Sequence, residues 1–166
     1  MKEDNNIKII SEKQAYERMA RICSRREYAP YDISQKLYRL KLPQEQIERI
    51  IGNLKKNRYL DEERYVRSYV NDKLVYNKWG PRKIEQGLLQ KRIPRELINE
   101  VLSEYESSEL NDNLQQVLSK KWKGIKGASE YEKKGKLIRY ALGRGFEMKE
   151  ILCCMEKMNI GEVDFD

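Results

Sequence analysis

Gly80-Pro81-Arg82-Lys83-Ile84-Glu85-Gln86-Gly87-Leu88-Leu89-Gln90-Lys91-Arg92-Ile93-Pro94 is the stretch that decides the fold. Proline suits the first position of a helix, where its missing N–H has no partner to lose and its φ is already helical. The run therefore predicts a helix opened by Gly80 and Pro81, a short turn, and a second helix opened by Pro94. Ile84 and Leu88 are four apart and share a face. Ile93, Ile98 and Leu102 continue at helical spacing after the turn.

The same hairpin recurs. Ile33, Leu37, Leu42 and Ile47 lie 51 positions before Ile84, Leu88, Ile93 and Ile98, and Leu137, Ala141, Phe146 and Ile151 lie 53 positions after them. Leu42-Pro43 and Ile93-Pro94 fall at the same place in their copies. A repeat of this length marks supersecondary units that are each too small to bury an apolar face alone. The alternative is three unrelated hairpins. The expected fold is all-α, with three tandem three-helix repeats stacked into an elongated array that can curve. Its expected layout is a polar tail over 1–11, repeats over 12–60, 61–106 and 107–159, and an acidic tail over 160–166.

Local signals place the nine expected helices. The first spans Glu12 to Arg25, with Ala15, Tyr16, Met19, Ala20 and Cys23 inward. Pro30 and Pro43 each start a helix. Asp61 caps the lead helix of the second repeat, and Glu62 and Glu63 favour its positive N-terminal end. Asn77 to Gly80 interrupts the chain before the central hairpin. The third repeat begins near Ser107 or Ser108 and breaks at Gly124 to Gly127. Ser129 and Glu132 have capping-box spacing, and Gly145 suits a left-handed helix end before Phe146.

Composition narrows the function. The 166 residues hold 37% charged and 39% hydrophobic residues, which suits thin helical layers with one wet face each. The formal charge of +7 favours a polyanionic partner. There is no histidine, so the commonest general base and metal ligand is missing. Cys23, Cys153 and Cys154 read as reduced cytosolic thiols. Adjacent helical residues diverge by about 100°, so Cys153 and Cys154 are a poor chelating pair. A redox role for them is the alternative reading. No leader or membrane span is visible, and the expected location is the cytoplasm.

No catalytic constellation emerges, and no metal or cofactor is expected. The Gly-x-x-x-x-Gly-Lys-Ser/Thr and Gly-x-Gly-x-x-Gly phosphate loops are absent. Gly143 and Gly145 fit a helix end better than a phosphate cradle. Asp61, Glu62 and Glu63 fit a cap better than a metal site. Ser24, Ser34 and Ser103 have no histidine to activate them.

Positive charge is the sharper signal. Lys120, Lys121, Lys123, Lys126, Lys133, Lys134, Lys136, Arg139 and Arg144 face only Glu130 and Glu132 in the same stretch, a local surplus equal to that of the whole chain. Arg25, Arg26, Lys36, Arg39 and Lys41 form a second group. Arg82, Lys83, Lys91 and Arg92 form a third at the corresponding edge of the middle repeat. One reading is a solvated lysine-rich face. The other is contact with a phosphate backbone or an acidic protein, which requires charge but no base-reading geometry. Charge reversal at Lys136, Arg139 and Arg144 is then expected to weaken binding with the helical fold intact. Tyr28, Tyr31, Tyr38, Tyr59, Tyr65, Tyr69, Tyr76 and Trp79 either pack between helices or stack on bases.

Four segments, in order, resemble a known family. Arg26-Glu27-Tyr28 with Ile33 to Leu37 is similar to the opening motif of RecX regulatory proteins. Tyr59-Leu60-Asp61-Glu62-Glu63-Arg64-Tyr65, then Gly80-Pro81-Arg82-Lys83-Ile84 with Leu88, Lys91 and Ile93, resemble the next two. Arg144-Gly145-Phe146 resembles an Arg-Gly-Phe turn of the third repeat.

The resemblance implies a non-enzymatic, monomeric bacterial regulator of DNA repair, recombination and the SOS response. It would bind RecA and the RecA–single-stranded-DNA filament, lowering ATP hydrolysis, strand exchange and co-protease action. Single- or double-stranded DNA would be met at its backbone. The alternatives are a free-standing DNA-binding protein and a helical scaffold for an acidic partner. The chain departs from the family pattern where Lys41 and Arg92 replace turn glycines, so altered turns are expected there. Ala29 replaces a serine cap, at a cost of about 1 kcal/mol.

Overall fold

The computed structural model describes residues 9–160. The expected terminal tails therefore lie largely outside the described residues. Nine α-helices and no strand occur among the described residues. They are α1 (Glu12–Cys23), α2 (Pro30–Arg39), α3 (Gln44–Lys56), α4 (Glu62–Asn71), α5 (Pro81–Gln90), α6 (Arg95–Ser103), α7 (Ser107–Gly124), α8 (Glu130–Gly143) and α9 (Met148–Lys157). A π-helical turn, Asp72–Tyr76, follows α4 without a break. The fold is all-α and built of three-helix repeats. The described chain divides into two compact units between Tyr65 and Val66, inside α4.

Unit one packs α1 and α2 on α3. Met19, Cys23, Ile33, Leu37, Ile47, Ile50, Leu54 and Leu60 form its apolar centre. In unit two, α7, α8 and α9 pack mutually, and α5 packs on α6 and on the π-turn. Leu114, Leu118, Leu137, Phe146 and Ile151 are central to the third repeat. All twelve apolar positions of the three-fold register are buried. Burying a large aliphatic side chain contributes roughly 1.5–3 kcal/mol before chain entropy is set against it. The register is thus the main source of cohesion in each hairpin.

The helix starts refine the reading of the prolines. Pro30 and Pro81 occupy the first turn of their helices as expected. Pro43 and Pro94 stand one place earlier, as cap residues in extended conformation (ψ 148° and 136°), and α3 and α6 begin at Gln44 and Arg95. Proline's fixed φ serves both positions; only ψ differs. Asp61 caps α4 through Oδ1, which accepts the Arg64 N–H at 3.0 Å. A complete capping box forms at Ser11 and Gln14. Ser129 and Glu132 form a variant: Ser129 Oγ accepts the Glu132 N–H, while the Glu132 carboxylate reaches past the cap to the N–H of Ala128. Ala29 makes no side-chain cap bond. α1 ends at Cys23, two residues before the expected end, where Ser24 Oγ donates to the Arg21 carbonyl at 2.6 Å.

The turn at Arg92 does not differ from a glycine turn, and Lys41 shares its left-handed backbone. Both residues adopt left-handed backbone, with φ of 61° and 58°, as do Arg58 (61°), Lys78 (53°) and Asn159 (53°). The Ile93 N–H closes on the Leu88 carbonyl and the Phe146 N–H on the Ala141 carbonyl, so the Arg92 and Gly145 turns have the same bonding. Two orphan carbonyls are satisfied in each. That gain, with a cation at the negative end of the helix, offsets the left-handed strain of about 1–2 kcal/mol.

Candidate nucleic-acid interface

The end of α4 sets the geometry of the site. The π-turn widens the helix by one residue, and the Asn77 N–H bonds five back to the Asp72 carbonyl. The Leu74 carbonyl receives Nδ2 of Asn113 at 2.9 Å. Asn113, on α7, is buried, and this bond satisfies a polar group that would otherwise be costly there. Lys78 then turns left-handed and the Trp79 N–H closes on the Lys73 carbonyl. The guanidinium of Arg144 donates to the Asn77 carbonyl. The third repeat thus fastens the end of the second repeat's lead helix at two points.

The Arg144-Gly145-Phe146 turn also fastens the start of α5. The Gly80 N–H donates to the Arg144 carbonyl at 2.7 Å and the Arg82 N–H to the Gly145 carbonyl at 3.1 Å. A Cβ on Gly80 would lie 2.3 Å from Gly145 carbonyl atoms, and one on Gly145 would lie 2.5 Å from Lys83. Neither position admits a side chain. The two motifs build this junction.

Beside the junction lie two adjoining concavities of about 580 and 590 Å³. Tyr76, Asn77, Lys78, Gln116, Val117, Lys120, Lys121, Gly124, Tyr140 and Arg144 line the first. Lys121, Gly124 and Tyr140 are shared with the second, which adds Ile125, Lys126, Lys136 and Arg139. Seven cations line the pair, and among the described residues no carboxylate does. Concave walls concentrate the field of such a cluster. The arrangement suits an extended anion larger than a single phosphate.

The cations differ in freedom. Lys120 and Arg139 are exposed. Lys121 Nζ lies 4.6 Å above the Tyr140 ring. Lys136 donates to the Lys126 carbonyl at 2.7 Å and stands 3.4 Å from Glu132. The Ala128 N–H, then Lys136, hold the Glu132 carboxyl below the usual glutamate range. Arg144 is half-buried, with Nε enclosed and unpartnered. It is a strut of the junction as well as part of the wall. Its bond to the Asn77 carbonyl gives charge reversal at this residue a structural as well as an electrostatic consequence to test. Lys123 is exposed but lines neither concavity.

The other expected residues stand elsewhere. In unit one, Arg26 lies 4.3 Å and Lys36 5.8 Å from the Tyr28 ring centre, while Arg25, Arg39 and Lys41 are exposed. In unit two, Lys83 and Lys73 lie 4.1 and 4.7 Å from the Trp79 ring. Trp79 is thus a cation–π centre and not an open stacking face. Arg82 and Arg92 are exposed and Lys91 is half-buried. Lys78 joins the site although the sequence marked it only as part of a break.

Burial pushes the Cys23 thiol up to about 11, and burial also raises Cys154, whose Sγ lies 3.6 Å from Met158 Sδ. Neither has the depressed pKa of a reactive thiolate. Among the described residues no three Cys, Asp or Glu side chains converge on a metal-binding point, and no helix is long and apolar enough to cross a membrane.

Two family models match the chain. The second three-helix domain of RecX covers residues 61–102 and the third covers residues 108–155, together more than half its length. The regulatory protein RecX of Vibrio parahaemolyticus is 32% identical over 130 residues, which is 78% of this chain and 82% of the relative. The chain belongs to the RecX family of regulatory proteins. RecX of Clostridium acetobutylicum is 34% identical over 124 residues, 72% of this chain and 57% of that longer relative. A crystal structure of RecX from Lactobacillus salivarius shares the fold, with a TM-score of 0.78 at 20% identity, over 89% of this chain and 96% of that one.

RecX-like motif residues in unit one are structural too. Glu27 accepts from Nε of Arg64 at 2.5 Å, and Arg64 Nη2 donates to the Arg58 carbonyl at 3.1 Å. The pair ties the Arg-Glu-Tyr segment to the Asp-Glu-Glu-Arg segment and supports the left-handed turn at Arg58.

Proposed function

We propose that this RecX-family chain binds RecA and the RecA–single-stranded-DNA filament and restrains it, lowering ATP hydrolysis, strand exchange and co-protease action, with no turnover of its own. The setting is recombination, repair and the SOS response in the bacterial cytoplasm. The carrying observation is the pair of concavities lined by seven cations and, among the described residues, no carboxylate. They would meet DNA phosphates through Lys78, Lys120, Lys121, Lys126 and Arg139. Arg25, Arg26, Lys36, Arg39 and Lys41 in unit one, with Arg82, Lys83, Lys91 and Arg92, are the candidates for further phosphate or for acidic RecA surface. A monomer suffices for these contacts.

The decisive measurement is the ATPase rate of the cognate RecA on single-stranded DNA with this protein in stoichiometric excess. The expected result is a fall in rate, weakened when Lys120 and Lys121 are both changed to Glu. An unchanged rate with the unaltered protein overturns the restraint reading. The same cation cluster supports a second reading, a free-standing DNA-binding protein. It gives tight DNA binding without RecA, with log affinity falling by about 0.7 per phosphate contact per log unit of salt on a single strand.

A further inference from the structure

Two rings line the first concavity, and they differ in what covers them. Tyr140 carries Lys121 at 4.6 Å and Arg144 at 5.9 Å. Tyr76 is 76% exposed, and no hydrogen bond, ion pair or ring contact engages it among the described residues. Tyr38 and Tyr131 are exposed as well, at 68% and 90%; what sets Tyr76 apart is its place on a concavity lined by cations.

The backbone beneath Tyr76 is unusual and well held. Tyr76 closes the π-turn, a rare helical form that recurs at functional sites. Two residues on, Lys78 sits in left-handed backbone. Asn113 and Arg144 grip the carbonyls on either side, at Leu74 and Asn77. The ring therefore stands on a braced support, beside Lys78, Lys120 and Lys121.

We propose that Tyr76 is the stacking platform for an unpaired base, so that unit two takes single-stranded nucleic acid in preference to duplex. This rests on the reading that the concavity binds nucleic acid. Every base offers a π-face, so stacking needs no sequence, while flanking lysines hold the phosphates on either side. In a duplex the base faces are already stacked on one another, and reaching one requires unstacking. Charge alone favours the duplex, whose phosphates are denser; an open ring favours the single strand. Tyr140 acts as a positioning residue that holds Lys121 at the wall.

The test uses the full chain and a labelled oligothymidylate beside a blunt duplex of the same length, with affinities read by fluorescence anisotropy. Tyr76 is exposed, so its replacement leaves the core untouched. Tyr76→Leu is expected to cost about tenfold on the single strand and nothing on the duplex, with the salt slope unchanged because no charge is lost. Tyr76→Phe should restore the single-strand affinity, since the ring is kept. Equal loss on both forms, or no loss on either, overturns the stacking role. The double change Lys120→Glu with Lys121→Glu separates the underlying reading: it should weaken both forms. If that variant binds both as the unaltered protein does, the concavity is not the site and both inferences fall. If it weakens both while Tyr76→Leu is silent, only the stacking inference falls.

Discussion

The turn at Arg92 and the turn at Gly145 have the same hydrogen bonds, yet one carries a long cationic side chain and the other admits none. Arg92 is exposed at φ 58°. Gly145, at φ 96°, lies against Lys83 and the Gly80 carbonyl. The left-handed conformation alone does not demand glycine here. What demands it at Gly145 is the close approach of another chain segment, because a Cβ there would meet backbone that cannot move aside. A glycine in a helical hairpin thus reports a neighbour more than a turn.

The sharpest way to break this contrast is Gly145→Ala. It combines left-handed strain with a clash, and a loss of about 3 kcal/mol is expected in denaturant unfolding. A loss under about 1 kcal/mol would mean that the junction yields easily. Next is Arg144→Met, which removes the bond to Asn77 and part of the wall. Thermal unfolding should report a cost of about 1–3 kcal/mol, in contrast to Lys120→Glu, which should leave stability nearly unchanged. Equal melting of the two variants would remove Arg144 from its structural role.

Smaller still is Arg92→Gly. Relief of strain is largely cancelled by the freer unfolded chain, so stability should rise by no more than about 0.5 kcal/mol. Lys41→Gly should match it, and a clear destabilisation of either would show that the cation at the helix end contributes more than the strain costs. The smallest effect concerns acid. Glu132 is held below the usual glutamate range by Ala128, Lys136 and Arg139. A carboxyl depressed in the folded state adds stability above its unfolded pKa and loses it as pH falls through the folded value. Glu132→Gln should therefore lower the melting temperature slightly at neutral pH. The gap should close on acidification, while the turns at Arg92 and Gly145 remain unaffected.

The legible part of the fold was periodic. Ile33, Ile84 and Leu137, with their partners in each copy, announced the hairpins because helical burial repeats at a fixed spacing. The site was legible only in its charge. Lys120 to Arg144 stood out as a surplus, and the structure gathers Lys120, Lys121, Lys126, Lys136, Arg139 and Arg144 around two adjoining concavities. Lys78 was missed because its place depends on a π-turn. Nothing in Asp72-Lys73-Leu74-Val75-Tyr76 signals that turn: the Leu74 carbonyl that accepts Asn113 is set by a residue 39 positions away. Trp79 was left between packing and stacking, since the two lysines that flank it come from both sides of a bend.

By itself the sequence settled the all-α class, the three-fold hairpin register, the excess of positive charge and the likeness to RecX proteins. These follow from spacing, composition and order along one chain. Tertiary structure alone decided which cations share a wall, which aromatic ring stays open, and why Gly80 and Gly145 must be bare. Those properties depend on distances between segments remote in sequence, and no local pattern encodes a distance of that kind.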